Sequence, residues 1–239
     1  MATKMVTEKE VYVRRLFSRI ARRYDLMNTL LSFNLDKYWR RVAVEEARLK
    51  KGDQALDVCC GTGMLTLGLA QAVYPHGKVV GLDFCPEMLE VAKVNLARSP
   101  YGRIIELVEG NAVALPFEDN TFDCATIAFA LRNVPDIEKT LREMQRVVRP
   151  GGRVISLELA KPSGRFFKQL YYLYFNYLVP LIGRLAVGDK DPYSYLPRSL
   201  KDFPHQEEIL KLFTRIGLKQ VNYRELTGGI VAIHVGVKI

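Results

Sequence analysis

The chain has 239 residues, enough for one sizeable domain with a full core and no need of covalent staples. Apolar residues make up 49% and charged residues 26%, a globular balance that argues against a disordered or fibrous class. The formal charge of +9 is less ordinary. Part of it crowds into Arg14, Arg15, Arg19, Arg22, Arg23, Arg40 and Arg41, which suits an anionic surface (nucleic acid, phospholipid head groups, an acidic partner) and equally a solvated helical face.

The first seven residues are polar and run into charge, so no signal peptide is expected and the chain reads as cytoplasmic. Up to residue 50 the sequence predicts helices, with Val13, Leu16, Phe17 and Ile20 at helical spacing. After Gly52 the pattern alternates. A short strand over 55–58 ends in a glycine-containing turn, a helix follows over 64–73, a second strand over 78–82, and Pro86 opens the next helix, where proline is best tolerated. Strands over 104–108 and 122–129 precede an amphipathic helix over 136–148. The turn Arg149-Pro150-Gly151-Gly152 then leads to a fifth strand over 153–159. Strands and helices alternating at this spacing predict a parallel sheet covered on both faces. The aromatic-rich stretch 166–187 is interrupted by Lys168, Gln169, Asn176 and Arg184 and broken by Pro180 and Gly183, so its apolar runs fall short of the roughly 20 residues a bilayer requires. A helix over 207–216 and strands over 219–225 and 230–237 close the chain, the strands near enough to pair as a hairpin through Thr227-Gly228-Gly229. No linker divides the sequence. It reads as one domain over 1–239: a helical cap (1–50), a core (51–160), an apolar insertion (161–200), and a terminal helix with hairpin (201–239).

The chemistry gathers at the end of the first strand, in Asp57-Val58-Cys59-Cys60-Gly61-Thr62-Gly63. In an open α/β sheet, ligands bind beyond the carboxyl ends of the strands, and glycines there allow a tight turn and close backbone approach. A lone G-x-G is weak. Asp83, closing the second strand, adds a carboxylate that can take both hydroxyls of a ribose. Thr66 stands where a dinucleotide fingerprint needs its third small residue, and no G-K-[ST] or nearby cation offers a phosphate cradle. An adenosine without phosphates, carrying a sulfonium, fits better than NAD, which points to S-adenosylmethionine (AdoMet). Asn111, followed by Ala112 after the third strand, offers an amide to an adenine edge or simply forms a turn. The four cysteines, Cys59, Cys60, Cys85 and Cys124, form no C-x-x-C pair and have no histidine at zinc spacing. They read as small buried hydrophobes, and no metal is expected.

Four further motifs carry a resemblance. Tyr24-Asp25-Leu26-Met27-Asn28-Thr29-Leu30-Leu31-Ser32 with Asp36 and Trp39, Leu131-Arg132-Asn133-Val134, Arg149-Pro150-Gly151-Gly152, and Leu226-Thr227-Gly228-Gly229-Ile230-Val231-Ala232-Ile233-His234 resemble, in order, the signatures of the menaquinone/ubiquinone biosynthesis C-methyltransferases. The resemblance implies a doubly wound class I AdoMet-dependent methyltransferase fold, a seven-stranded, mostly parallel sheet with an antiparallel last strand and an N-terminal helical extension. It implies C-methylation of a prenylated quinol, demethylmenaquinol first, with a ubiquinol-precursor benzoquinol or an RNA as alternatives. Thr62, Asp83, Asn111 and Ala112 match positions that contact AdoMet, and Asp57, Gly61 and Gly63 of the same motif are expected to bind the cofactor with them. Two positions depart from relatives: Ala128 stands where some carry serine, and Arg198 where many are acidic.

A phenol near pKa 10 needs a base or a stabilising field before its ring carbon becomes nucleophilic. By the resemblance, Arg132 helps activate a water that takes the phenolic proton and Asn133 orients it. An Arg paired structurally with a carboxylate is the plainer alternative. Tyr24, Asp25 and Asn28 are candidates for the quinol ring or for helix packing, and His234 for substrate or structure. Tyr171, with Tyr174, Phe175 and Leu178 at helical spacing, is a candidate for the isoprenoid tail. The basic N-terminus would touch an anionic membrane surface transiently. No nucleic acid is expected as a partner, and a homodimer is left open.

Overall fold

The computed structural model describes residues 7–162, 164, 174 and 191–239. Thr7 caps the first helix, α1 (Glu8–Ile20): its hydroxyl accepts the Glu10 N–H while the Glu10 carboxylate accepts the Thr7 N–H. α2 (Tyr24–Leu31) and α3 (Leu35–Ala47) complete the N-terminal region, and α3 buries Trp39, Val42, Ala43 and Ala47 along one stripe.

The core alternates β1 (Gln54–Val58), α4 (Met64–Val73), β2 (Lys78–Asp83), α5 (Pro86–Ala97), β3 (Ile105–Glu109), β4 (Phe122–Ala128), α6 (Ile137–Val147) and β5 (Val148–Leu159). α7 (Asp191–Asp202), α8 (Gln206–Arg215), β6 (Lys219–Leu226) and β7 (Val231–Val237) follow. The seven strands form one sheet in the order β3-β2-β1-β4-β5-β7-β6. β1 to β5 pair in parallel, and β7 runs antiparallel to both β5 and β6. The expected hairpin forms, with its last strand inserted between β5 and β6.

Because successive residues of a strand face opposite sides, each central strand feeds two cores. Leu56, Val58, Val80, Leu82, Ala125, Ile127 and Val154 pack with Leu141, Met144 and Val147 of α6 and Ile209 and Phe213 of α8. Ala55, Val79, Cys124, Ile155, Leu157, Ile233 and Val235 face α3 and α4 through Trp39, Val42, Leu65, Leu69 and Val73. The near-continuous apolar runs of β1 and β2 are what burial on both faces demands.

Most boundaries differ from the sequence reading by a residue or so, and three have a visible local reason. Val148 already pairs with Phe122, so the expected turn at 149–152 lies inside β5 as an irregularity of register rather than ahead of it. Phe129 ends β4 because its backbone turns to φ 57°. Ile104 closes a short 3-10 turn before β3. Of the apolar insertion, Tyr171, Phe175 and Leu178 lie outside the described residues. Tyr174 donates its hydroxyl to the Leu31 carbonyl, and its ring lies 6.1 Å from that of Phe33. No helix among the described residues is long and apolar enough to cross a membrane.

The two-core arrangement makes α6 a direct test of packing. Leu141 is fully buried against β4 and β5, whereas its neighbour Arg142 is exposed and pairs with Glu138. Leu141→Ala is expected to cost about 2–5 kcal/mol in urea unfolding and Arg142→Ala no more than about 0.5 kcal/mol. Equal losses would contradict the assignment of faces.

Candidate active site

The turn after β1 is built from left-handed backbone at Cys59 (φ 56°), Gly61 (φ 55°) and Gly63 (φ 81°). Gly63 then caps α4. What holds the turn is Asp83: its carboxylate accepts the Gly61 N–H at 2.8 Å with one oxygen and the Cys85 N–H at 2.9 Å with the other. Burial pushes its pKa up to about 6 against the pull of those backbone donors. Asp57 lies deeper, 1% exposed, accepting the hydroxyls of Thr66 (2.7 Å) and Thr126 (3.0 Å), and burial likewise lifts it to about 6.

Beyond these strand ends opens a cleft of about 680 Å³ whose lining includes Tyr24, Gly61, Asp83, Asn111, Ala112 and Asn133. It lies where the strand order reverses between β1 and β4, the switch point at which open sheets bind ligands. Phe17, Phe84 and Met88 supply apolar wall, and no Lys or Arg is among the lining residues. A methyl group at Gly61 would meet nothing within 4 Å, so that backbone faces open space. A buried carboxylate, an exposed stretch of glycine backbone and apolar walls without a phosphate cradle fit an adenosine carrying a cation, as AdoMet does.

The remaining expected residues stand around this cleft rather than in it. Asp57 props the turn from beneath. Thr62 donates to Asp25 at 2.6 Å, and Asn95 bridges the same pair, so Asp25 ties α2 to the glycine turn. Asn28 lies on the half-buried side of α2, and its carbonyl takes the Ser32 N–H. The Asn111 carbonyl oxygen folds back onto the Val113 N–H while its amide donates to Glu10 at 2.8 Å. His234 is further off. It sits under α8, its Nε2 2.8 Å from the Gln206 carbonyl and its ring stacked on Tyr223. Burial lowers its pKa to about 4. That placement sets His234 apart from the cleft, on the wall of a smaller pocket. Tyr171 lies outside the described residues. Arg40 also leaves the basic patch: it pairs with Asp36 at 2.5 Å and covers the Phe129 ring at 5.2 Å.

Arg132 and Asn133 occupy the loop after β4. The Arg132 guanidinium donates to Glu158 and, at 2.7 Å, to the Phe129 carbonyl, both side chains of the ion pair being almost wholly buried. Arg132 thus has a carboxylate partner, while its buried Nε–H has none among the described residues. Asn133 Oδ1 accepts the Tyr195 hydroxyl at 3.1 Å, and the Tyr195 ring packs 5.6 Å from Tyr12.

Three contributors escaped the sequence reading: Glu10, Glu158 and Tyr195. Glu10 was accessible as the fourth residue of the capping box Thr7-x-x-Glu10, whereas Glu158 is one of several polar residues of β5 and nothing local marks it as Arg132's partner. Nothing in the sequence around Tyr195 singles it out.

Two measurements probe this geometry. Gly61→Ala is expected to abolish AdoMet binding at a stability cost of only about 1–2 kcal/mol, since its methyl meets no protein atom but enters the cleft. Retained binding would show that ligand does not approach Gly61. Protonation of Asp83 supplies the second. Its folded-state pKa exceeds the usual 3.8, so its contribution to apo stability is full below about pH 4 and lost as pH rises through 6. Binding runs the opposite way. If the carboxylate must be ionised to accept ribose hydroxyls, AdoMet affinity falls roughly tenfold one unit below its pKa. Calorimetric titration between about pH 7.5 and pH 5 checks this, and a flat profile would remove Asp83 from the ligand.

Comparison with known proteins follows the same lines. The family model described as "ubiE/COQ5 methyltransferase family" matches residues 5–238. A protein of Desulfitobacterium hafniense named demethylmenaquinone methyltransferase is 52% identical over 97% of this chain and 91% of its own length. One of Bacillus pumilus with the same name is 47% identical over 98% of this chain and all of its own. Among solved structures, a SAM-dependent methyltransferase from Thermotoga maritima superposes with a TM-score of 0.65 at 19% identity, over 94% of this chain and 99% of that one, a likeness of fold. The sheet order and its antiparallel β7 are those of the class I AdoMet-dependent methyltransferase fold. From the fold and a family match over nearly its whole length, this chain belongs to the ubiE/COQ5 methyltransferase family.

Proposed function

We propose that the chain transfers the methyl group of AdoMet to a ring carbon of demethylmenaquinol, as a step of menaquinone biosynthesis. The observation that carries this reading is the 52% and 47% identity, over nearly full length, to relatives bearing that name. Neither the benzoquinol nor the RNA alternative is favoured by these matches.

Bound AdoMet supplies an electrophilic methyl group on a sulfonium, so the protein's task is to position and to ionise the acceptor. Asp83 holds the ribose, Ala112 and the Asn111 loop flank the adenine, and the Gly61 backbone passes close to the amino-acid end. Thr62, Gly63 and Asp57 keep that turn in shape. Asn133 and Tyr24 share the cleft with these groups and flank the quinol ring. Arg132 acts on the phenolic oxygen: its unpartnered Nε–H is a charge-assisted donor for a water or an oxyanion, and Glu158 fixes the guanidinium in place. The phenolic proton passes through that water to solvent as the ring carbon gains electron density, and the proton on the methylated carbon is then lost as the ring regains aromaticity and the oxygen is reprotonated.

A prenylated substrate resides in a membrane, and the chain's surface supports transient contact there. Leu26, Leu30 and Phe33 are exposed on and just after α2, and Arg22 and Arg23 are exposed immediately before it. Apolar side chains beside cations match an anionic lipid interface.

The deciding assay is incubation with methyl-labelled AdoMet and reduced demethylmenaquinone, followed by mass analysis of the lipid extract. A product one labelled methyl heavier is expected. No product from a protein that still binds AdoMet would overturn the substrate. In the same assay Arg132→Ala is expected to lower kcat by roughly a hundredfold with AdoMet affinity unchanged, and unaltered turnover would remove Arg132 from the reaction.

A further inference from the structure

Ser156 on β5 and His234 on β7 are direct cross-strand partners. Both point to the sheet face under α8, since the alternate residues Ile155, Leu157, Ile233 and Val235 belong to the opposite core. They are 0% and 3% exposed, yet Ser156 Oγ and His234 Nδ1 have no hydrogen-bond partner among the described residues. Two orphaned polar atoms side by side in a core are costly, and native proteins rarely leave such a pair unsatisfied. Both residues line one small pocket, with about 10 Å³ open to the centre of a water molecule, separate from the cleft, and the same wall contains Glu158, two residues along β5 on the same face.

The donors and acceptors can be counted. His234 Nε2 lies 2.8 Å from the Gln206 carbonyl, which can only accept, so Nε2 carries the proton. With the ring kept neutral by burial, Nδ1 is a bare acceptor. The Ser156 hydroxyl has a proton to give. Glu158 spends one oxygen on Arg132 and the Leu159 N–H, while the other receives only a long 3.3 Å bond from the Arg132 N–H. Gln206 does not compete, because its amide is committed to Glu225 and to the Lys161 backbone. What remains is one donor and two acceptors on the wall of an otherwise largely apolar pocket, the complement of a water molecule that accepts one hydrogen bond and donates two.

We propose that this cavity is a structural water site, in which one water accepts from Ser156 and donates to His234 Nδ1 and Glu158. Ser156 and His234 thereby become positioning residues for the Arg132–Glu158 pair. The positioning role rests on the quinol methyltransferase reading; the water site itself does not.

A high-resolution crystal structure of the full chain, together with the Ser156→Ala variant, tests both parts. The structure is expected to show a density peak within hydrogen-bond distance of all three side chains. Without a water, removing an orphaned hydroxyl would leave Tm unchanged or raise it. With the water in place, Ser156→Ala is expected to lower Tm by about 3 °C. It should also reduce kcat on demethylmenaquinol by roughly tenfold, with KM for AdoMet unaltered. His234→Asn, which keeps a polar atom near Nδ1, should retain more turnover than His234→Leu. An empty cavity, or a Ser156→Ala protein as stable as the parent, would overturn the water site. Density and a lowered Tm with full turnover would overturn the positioning role. A parent protein inactive on demethylmenaquinol would sink the proposed function and the positioning role with it, while density and Tm would still decide the water site.

Discussion

Asp83 accepts the Gly61 and Cys85 backbone N–H groups together, and in doing so joins the turn after β1 to the start of α5. Both parallel strands end at this point, and without a shared acceptor their loops would leave buried N–H groups unsatisfied. The carboxylate stays almost fully buried at the cost of a pKa raised to about 6, which means the site holds a charge in an environment that resists it. A ligand bringing two hydroxyl donors and a nearby cation would relieve that resistance. The neighbouring thiols are affected too: burial and the charges of Asp83 and Asp57 push Cys59 and Cys60 upward, so they remain protonated and unreactive.

Around this anchor the N-terminal helices are fastened to the cleft loop by loop. Asp25 takes the Thr62 hydroxyl after β1, and Ser18 donates to Glu87 at 2.8 Å after β2. Glu10 takes the Asn111 amide after β3, and Lys9 donates to the Val134 and Arg132 carbonyls, at 2.7 and 3.2 Å, after β4. Each of these polar contacts is worth only about 0.5–1.5 kcal/mol net. These bonds add to the apolar packing of the cap, in which Trp39, Val42 and Ala43 of α3 meet the sheet and Phe17, Ala21 and Tyr24 meet Cys85 and Met88.

Much of this architecture was readable from residue pattern alone. The helix α4 falls at the expected residues 64–73, and α5 begins at Pro86 as read, because glycine, proline and apolar spacing are local signals. The hairpin at the end of the chain was likewise visible in Thr227-Gly228-Gly229. Side-chain partnerships across the fold were not. Asp25 and Thr62 are 37 residues apart, Glu10 and Asn111 are 101 apart, and only the closed structure shows that each pair meets. Arg132 was singled out, but its partner Glu158 could not be, because which buried acid meets which cation depends on where two strands end side by side. His234 shows the same limit, because a residue's place on a strand does not reveal that α8 closes over it.

The central claim is that the cleft at the β1–β4 switch point holds the cofactor through Asp83. A crystal structure with S-adenosylhomocysteine addresses it most directly. The account expects both ribose hydroxyls on the Asp83 carboxylate, the adenine against Ala112, and the amino-acid end over Gly61. A ligand bound with its ribose away from Asp83 would contradict the account, however clearly the protein methylated a quinol.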